Sequence, residues 1–167
     1  MVIFGIDPAI RTTGYGVIKV VDRSFEIIDC GVIANTQKMA HSECLRRLYG
    51  GVAQICELYK PDCAVLEDPF VGRNSKTAII LGMARGGILT SLVNHGIPAY
   101  SYTPSAAKRA AFGNGHAAKE QVACLLAGEL CISVDNIPLD STDALALAIC
   151  HAQKVLHPEL AVEPKCL

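Results

Sequence analysis

The chain has 167 residues, 51% of them apolar and 19% charged, with a formal net charge of −1. One domain suits that length, and the composition excludes disorder, collagen and coiled coil. No apolar run approaches the roughly twenty residues of a membrane span, and the start MVIFGID has neither a basic stretch nor a cleavage site, so no span and no signal peptide are expected.

Residues 2–7 are apolar and β-branched up to an acid, which predicts a central strand. The turn signals Pro8 and Gly14 follow. Residues 15–21 and 25–34 read as two more strands, joined closely enough at 22–24 for a hairpin. Residues 42–59 carry Leu45, Leu48, Val52, Ile55 and Leu58 at helical spacing, and Pro61 follows. A short strand is expected over 63–67 and a long helix over 74–95. The pattern then predicts a strand at 99–102 and helices over 103–111, 116–131 and 141–156. Three strands in a meander, followed by alternating helices and strands, give a mixed sheet covered by helices. The tail after Leu156 carries little pattern. The eight cysteines form no CxxC pair, so reduced thiols in a cytoplasmic chain are expected rather than a zinc site.

Four acids stand apart. Asp7 and Glu67 each end an apolar strand, and Asp140 and Asp143 open an apolar helix on one face. Each has a plainer reading: a turn at Asp7–Pro8, a solvent-facing strand end at Glu67, and a helix cap at Asp140. If the two strands are parallel neighbours, Asp7 and Glu67 meet at the edge where ligands bind. Carboxylates gathered without Cys or His favour hard cations, Mg²⁺ or Mn²⁺. A pair of such ions suits in-line displacement at a phosphodiester. The basic residues are unevenly spread. From 69 to 119 there is no Asp or Glu but six cations, Arg73, Lys76, Arg85, Lys108, Arg109 and Lys119, so one section can turn a positive face to nucleic acid.

Three segments, GIDPAIRTTGYGVI (5–18), VLEDPFVGRNSKTAIILGMARG (65–86) and DSTDALALAICH (140–151), closely resemble the bacterial RuvC-type Holliday junction resolvases. The resemblance spans about residues 2 to 155. It implies an α/β, ribonuclease H-like fold with a five-stranded mixed sheet flanked by helices on both faces, in a single nuclease domain over 1–157 with a short tail over 158–167. It implies paired symmetric nicks in four-way DNA junctions, leaving 5′-phosphate and 3′-hydroxyl ends, in recombination and repair. Asp7, Glu67, Asp140 and Asp143 fall on the family's catalytic acids and are the expected ligands of two Mg²⁺ per subunit, with Mn²⁺ a possible substitute. Phe70 falls on the aromatic that stacks at the opened junction. Lys108 and Lys119 fall on the basic positions beside the cut, and Arg73, Lys76 and Arg85 are assigned to DNA from their matching segments. The expected partners are junction DNA, a second copy of the chain in a homodimer built on the 74–95 helix, and a RuvA- and RuvB-type motor, with no membrane. Ala9 and Ile10 depart from the family's usual glycine and small polar residue, and Ala9 would be unfavourable if that position required positive φ or a close backbone approach to DNA.

A sugar-kinase or chaperone-type ATPase opens with a similar strand, acid and hairpin, but needs two such domains around one nucleotide. A related nuclease acting on RNA or other branches, and an inactive junction-binding module, are the remaining alternatives.

Overall fold

Strand β1 (Val2–Asp7) pairs antiparallel with β2 (Thr12–Val21), which pairs antiparallel with β3 (Ser24–Ala34). The computed structural model describes residues 1–22, 24–69, 75–112, 138–158 and 163–167. Asp22, with φ of 52°, turns the β2–β3 hairpin through the left-handed region. Helix α1 (His41–Tyr59) crosses over to β4 (Cys63–Glu67), which lies parallel to β1. Helix α2 (Ser75–Asn94) crosses over to β5 (Ala99–Tyr102), parallel to β4. Helices α3 (Pro104–Phe112) and α4 (Leu139–Leu156) follow. The sheet order is β3-β2-β1-β4-β5-β6.

The sixth strand corrects the five expected. Lys165–Cys166 pairs antiparallel with β5, and the Leu167 amide donates to the Ala99 carbonyl at 3.0 Å. Two residues carry no readable alternation, so only the long-range pairing reveals this edge. The helix expected over 116–131 lies outside the described residues.

Alternation along the central strands sends side chains into two cores. Ile3 and Val65 face α3 and α4, meeting Ala107, Leu145 and Ile149. Phe4, Ile6 and Leu66 face the other way, meeting Val52, Ile55, Ile88 and Leu92 of α1 and α2. Helix α1 buries Cys44, Leu48, Val52, Ile55 and Cys56, the expected stripe. It ends where Lys60 turns left-handed, its amide donating to the Cys56 carbonyl at 2.9 Å, just before Pro61. Asp29 links three elements by accepting from the hydroxyls of Tyr15 at 3.0 Å and Tyr59 at 2.8 Å.

Helix α2 differs from the expectation that nothing here could span a membrane: among the described residues it is long and apolar enough by length and composition. In this fold it packs on α1 through one face. The opposite side leaves Ile79, Met83 and Val93 exposed.

Candidate active site

The parallel ladder between β1 and β4 ends at Ile6 and Leu66. Asp7 and Glu67 are therefore the next residue on each strand, level with one another at the carboxyl edge, on strands about 4.8 Å apart. By alternation Asp7 shares a face with Ile3 and Gly5, and Glu67 shares one with Cys63 and Val65. That face is covered by α4.

Two glycines set how close α4 comes. A Cβ on Gly14 would lie 1.7 Å from the Asp140 carbonyl oxygen, and one on Gly5 would lie 2.0 Å from that of Ala144. Gly14 is also the β2 partner of Asp7. The backbone of Asp140 thus rests on the strand pair at the level of Asp7, and only residues without side chains permit that approach. Gly14, read from sequence as a turn signal, lies within a strand and serves as a seat for the helix.

Helix α4 begins at Leu139 after Pro138, with no side-chain cap. Asp140 therefore lies inside the first turn and is not the N-cap, which corrects the capping alternative. A negative charge is favoured there by the helix dipole. The start is tied down instead by Ser141 Oγ donating to the Pro138 carbonyl at 2.6 Å and Thr142 Oγ1 donating to the Leu139 carbonyl at 2.7 Å.

Asp7, Glu67 and Asp143 open into two clefts that share Glu67, and Asp140 lines neither. One, of about 70 Å³, is lined by Asp7, Glu67, Asp68 and Arg85 among others. The other, of about 10 Å³, lies between Glu67, Asp143 and Lys108. Lys108 Nζ stands 3.0 Å from Asp143 Oδ1. Arg85 is 9% exposed, and its Nη1 donates to the Glu67 carbonyl. Burial pushes the Arg85 guanidinium down from its ordinary value, while Asp68 and Glu67 oppose that shift. A guanidinium still stays charged.

Sequence reasoning passed over Asp68. Its amide donates to the Tyr102 carbonyl at 2.8 Å and its carboxylate accepts from Ser101 Oγ at 2.6 Å. The adjacent acids of the EDP tripeptide were the available signal. Ala9 is not among the residues with positive φ, so alanine meets no backbone strain there. Thr13 Oγ1 donates to the Ala9 carbonyl at 2.5 Å and accepts from its amide at 3.2 Å, closing the loop after Asp7.

Among the described residues no group of three or more His, Cys, Asp or Glu forms a ready-made metal site. The donor chemistry nevertheless fits hard cations, because carboxylates supply the oxygens. The Lys108 ammonium on Asp143 is a stand-in positive charge at the same spot. Of the residues assigned to DNA, Lys108 and Arg85 lie at the acids, and Lys76 is exposed at the start of α2. Phe70, Arg73 and Lys119 lie outside the described residues.

The profile of the family described as "Crossover junction endodeoxyribonuclease RuvC" matches residues 3–151. The protein of that name from Protochlamydia amoebophila is 40% identical over 153 residues, covering 92% of this chain and 91% of that one. The solved Thermus thermophilus RuvC structure superposes with a TM-score of 0.83 at 30% identity, covering both chains completely. The same protein in complex with Holliday junction substrate gives a TM-score of 0.86 at 31% identity, covering 100% of this chain and 99% of that one.

Proposed function

The chain belongs to the RuvC family of crossover junction endodeoxyribonucleases, and from that premise we propose how its residues carry out the family's reaction. It is a structure-selective endonuclease that resolves four-way Holliday junctions. In our reading Asp7, Glu67, Asp140 and Asp143 are the catalytic acids and would hold two Mg²⁺ ions, with Mn²⁺ able to replace them. Those ions, when bound, supply the Lewis acidity for in-line hydrolysis of a phosphodiester to 5′-phosphate and 3′-hydroxyl ends.

The chain's own residues do the rest. The closely seated α4 fixes Asp140 and Asp143 against Asp7 before substrate arrives, so little reorganisation is left for the reaction. Lys108 balances the charge of Asp143 and stands ready for the phosphate backbone. Lys76, Arg73 and Lys119 contact further phosphates, and Phe70 stacks on an unpaired base. Two copies of the chain joined through α2 set two acid clusters on one junction, matching its approximate twofold symmetry. A RuvA- and RuvB-type motor delivers that junction.

The observation carrying this reading is the level placement of Asp7 and Glu67 on adjacent parallel strands beneath the first turn of α4. Its test is cleavage of a fixed synthetic junction with Mg²⁺, beside binding measured in Ca²⁺. Asp7→Asn and Glu67→Gln are each expected to slow symmetric nicking by at least about a hundredfold and to leave junction affinity within about threefold of wild type (less than ~0.7 kcal/mol). Equal losses of cutting and binding would refute the assignment.

A further inference from the structure

Resting on the nuclease reading above, we propose that Arg85 is a catalytic residue whose Nη2 is reserved for a non-bridging oxygen of the scissile phosphodiester. Arg85 shares the buried face of α2 with Ile88 and Leu92, at the i, i+3, i+7 spacing that normally faces a core. An arginine this buried is rare unless it is paired. Here the pairing is half complete. Nη1 donates to the Glu67 carbonyl, just past the end of the β1–β4 ladder. Nη2 is buried and has no hydrogen-bond partner among the described residues.

A buried donor left without an acceptor is costly, more so when it carries charge, and such a group in a folded protein calls for a missing partner. The cleft identifies the partner's chemistry. Its lining joins Arg85 to Asp7 and Glu67 at the carboxyl edge, where the nuclease reading brings the scissile phosphate. Its volume of about 70 Å³ leaves room for the oxygens of a phosphate.

A guanidinium fork suits phosphate oxygen. The tether keeps that fork rigid, because β4 is itself held at its end by the Asp68 amide on Tyr102. A donor fixed in advance stabilises developing negative charge without reorganising. It also offsets the repulsion that an anion meets on approaching four carboxylates. Lys108 is already engaged with Asp143, whereas Arg85 keeps a buried donor without an acceptor among the described residues.

The test uses Arg85→Lys, which keeps the charge and loses the fork, and Arg85→Gln, which keeps a donor for the carbonyl and loses the charge. Single-turnover cleavage by saturating protein is measured on a fixed junction with oxygen, or stereopure sulfur, at the scissile phosphate. Both variants should cut about 10² to 10³ times more slowly, with junction affinity in Ca²⁺ and melting temperature close to wild type. Sulfur at the contacted oxygen should slow wild type more than it slows either variant, because the two changes remove one shared interaction. Equal sulfur effects in wild type and variants would overturn the proposal, as would unchanged cleavage or parallel loss of folding and binding. If wild type itself makes no symmetric nicks, the nuclease reading falls instead. The glutamine variant decides the matter if the lysine variant does not fold.

Discussion

Lys108 and Asp143 face one another at 3.0 Å, with 20% and 14% of their side chains exposed. Removing one partner of a fully buried pair costs about 3–5 kcal/mol, because the remaining charge stays desolvated. These groups retain some contact with water, so Lys108→Met should lower stability by roughly 1–3 kcal/mol. A divalent cation would then meet a carboxylate without its ammonium. Added Mg²⁺ should therefore raise the melting temperature of the variant more than that of wild type. Thermal denaturation with and without Mg²⁺ reads both effects, and equal Mg²⁺ shifts would show that Lys108 is not the counter-ion. The sequence made Lys108 visible as a cation in an acid-free section, but its partner lies 35 positions away on another helix. Arg85 makes the same point. Its helical phase with Ile88 and Leu92 could have announced its burial, while the Glu67 carbonyl that receives it depends on where β4 ends.

At the level of elements, short apolar runs, two of them ending in an acid, and helical spacing were enough to find β1, β4, β5, α1 and α2 within a residue or so of their limits, because the central strands send side chains into both cores and the helices cover them. Two features were hidden for different reasons. β6 is too short to have a period. Gly14 was ambiguous because a glycine at a turn and a glycine under a helix look alike in sequence, and only the second blocks every substitution by contact. That contact makes a sharp prediction. In Gly14→Ala the new Cβ would sit 1.7 Å from the Asp140 carbonyl, and backbone cannot swing aside as a flexible side chain can. The first turn of α4 must lift, taking Asp140 and Asp143 away from Asp7. Misplacing reacting groups by about 1 Å costs on the order of 10²-fold in rate. Cleavage should fall by at least that factor, with junction binding retained and the melting temperature lowered. Gly50→Ala is the control, since a Cβ there meets nothing within 4 Å and alanine favours a helix by roughly 1 kcal/mol. Full cleavage by Gly14→Ala would mean that α4 is not what positions the closing acids.

At the scale of the molecule, two surfaces of the described residues stand out once the cores are filled. The acid edge takes up part of the basic section directly, through Arg85 and Lys108. The outer face of α2 is the other. Ile79, Gly82, Met83, Gly86, Thr90 and Val93 recur at helical spacing along it. Ile79 is 64% exposed and Val93 71%, and a Cβ on Gly82 or Gly86 would meet nothing within 4 Å. Two mid-helix glycines cost about 1 kcal/mol each relative to alanine, and no neighbour among the described residues requires them. In the proposed homodimer a second copy of the same helix would use them, because glycines let two backbones approach closely and an isologous face must complement itself. On that proposal, the apolar composition that makes α2 resemble a membrane span would be that of a helix buried on both sides in the dimer. Ile79→Glu combined with Met83→Glu sets like charges against each other across that face while leaving the acid edge intact. Sedimentation should show the mass halved at concentrations where wild type is dimeric. A supercoiled plasmid bearing an extruded cruciform gives a second measure, since two cuts made within one binding event linearise it and a single cut leaves a nicked circle. Wild type should yield mainly linear product and the double variant mainly nicked circle. A variant that stays dimeric and still linearises the plasmid would move the interface away from α2.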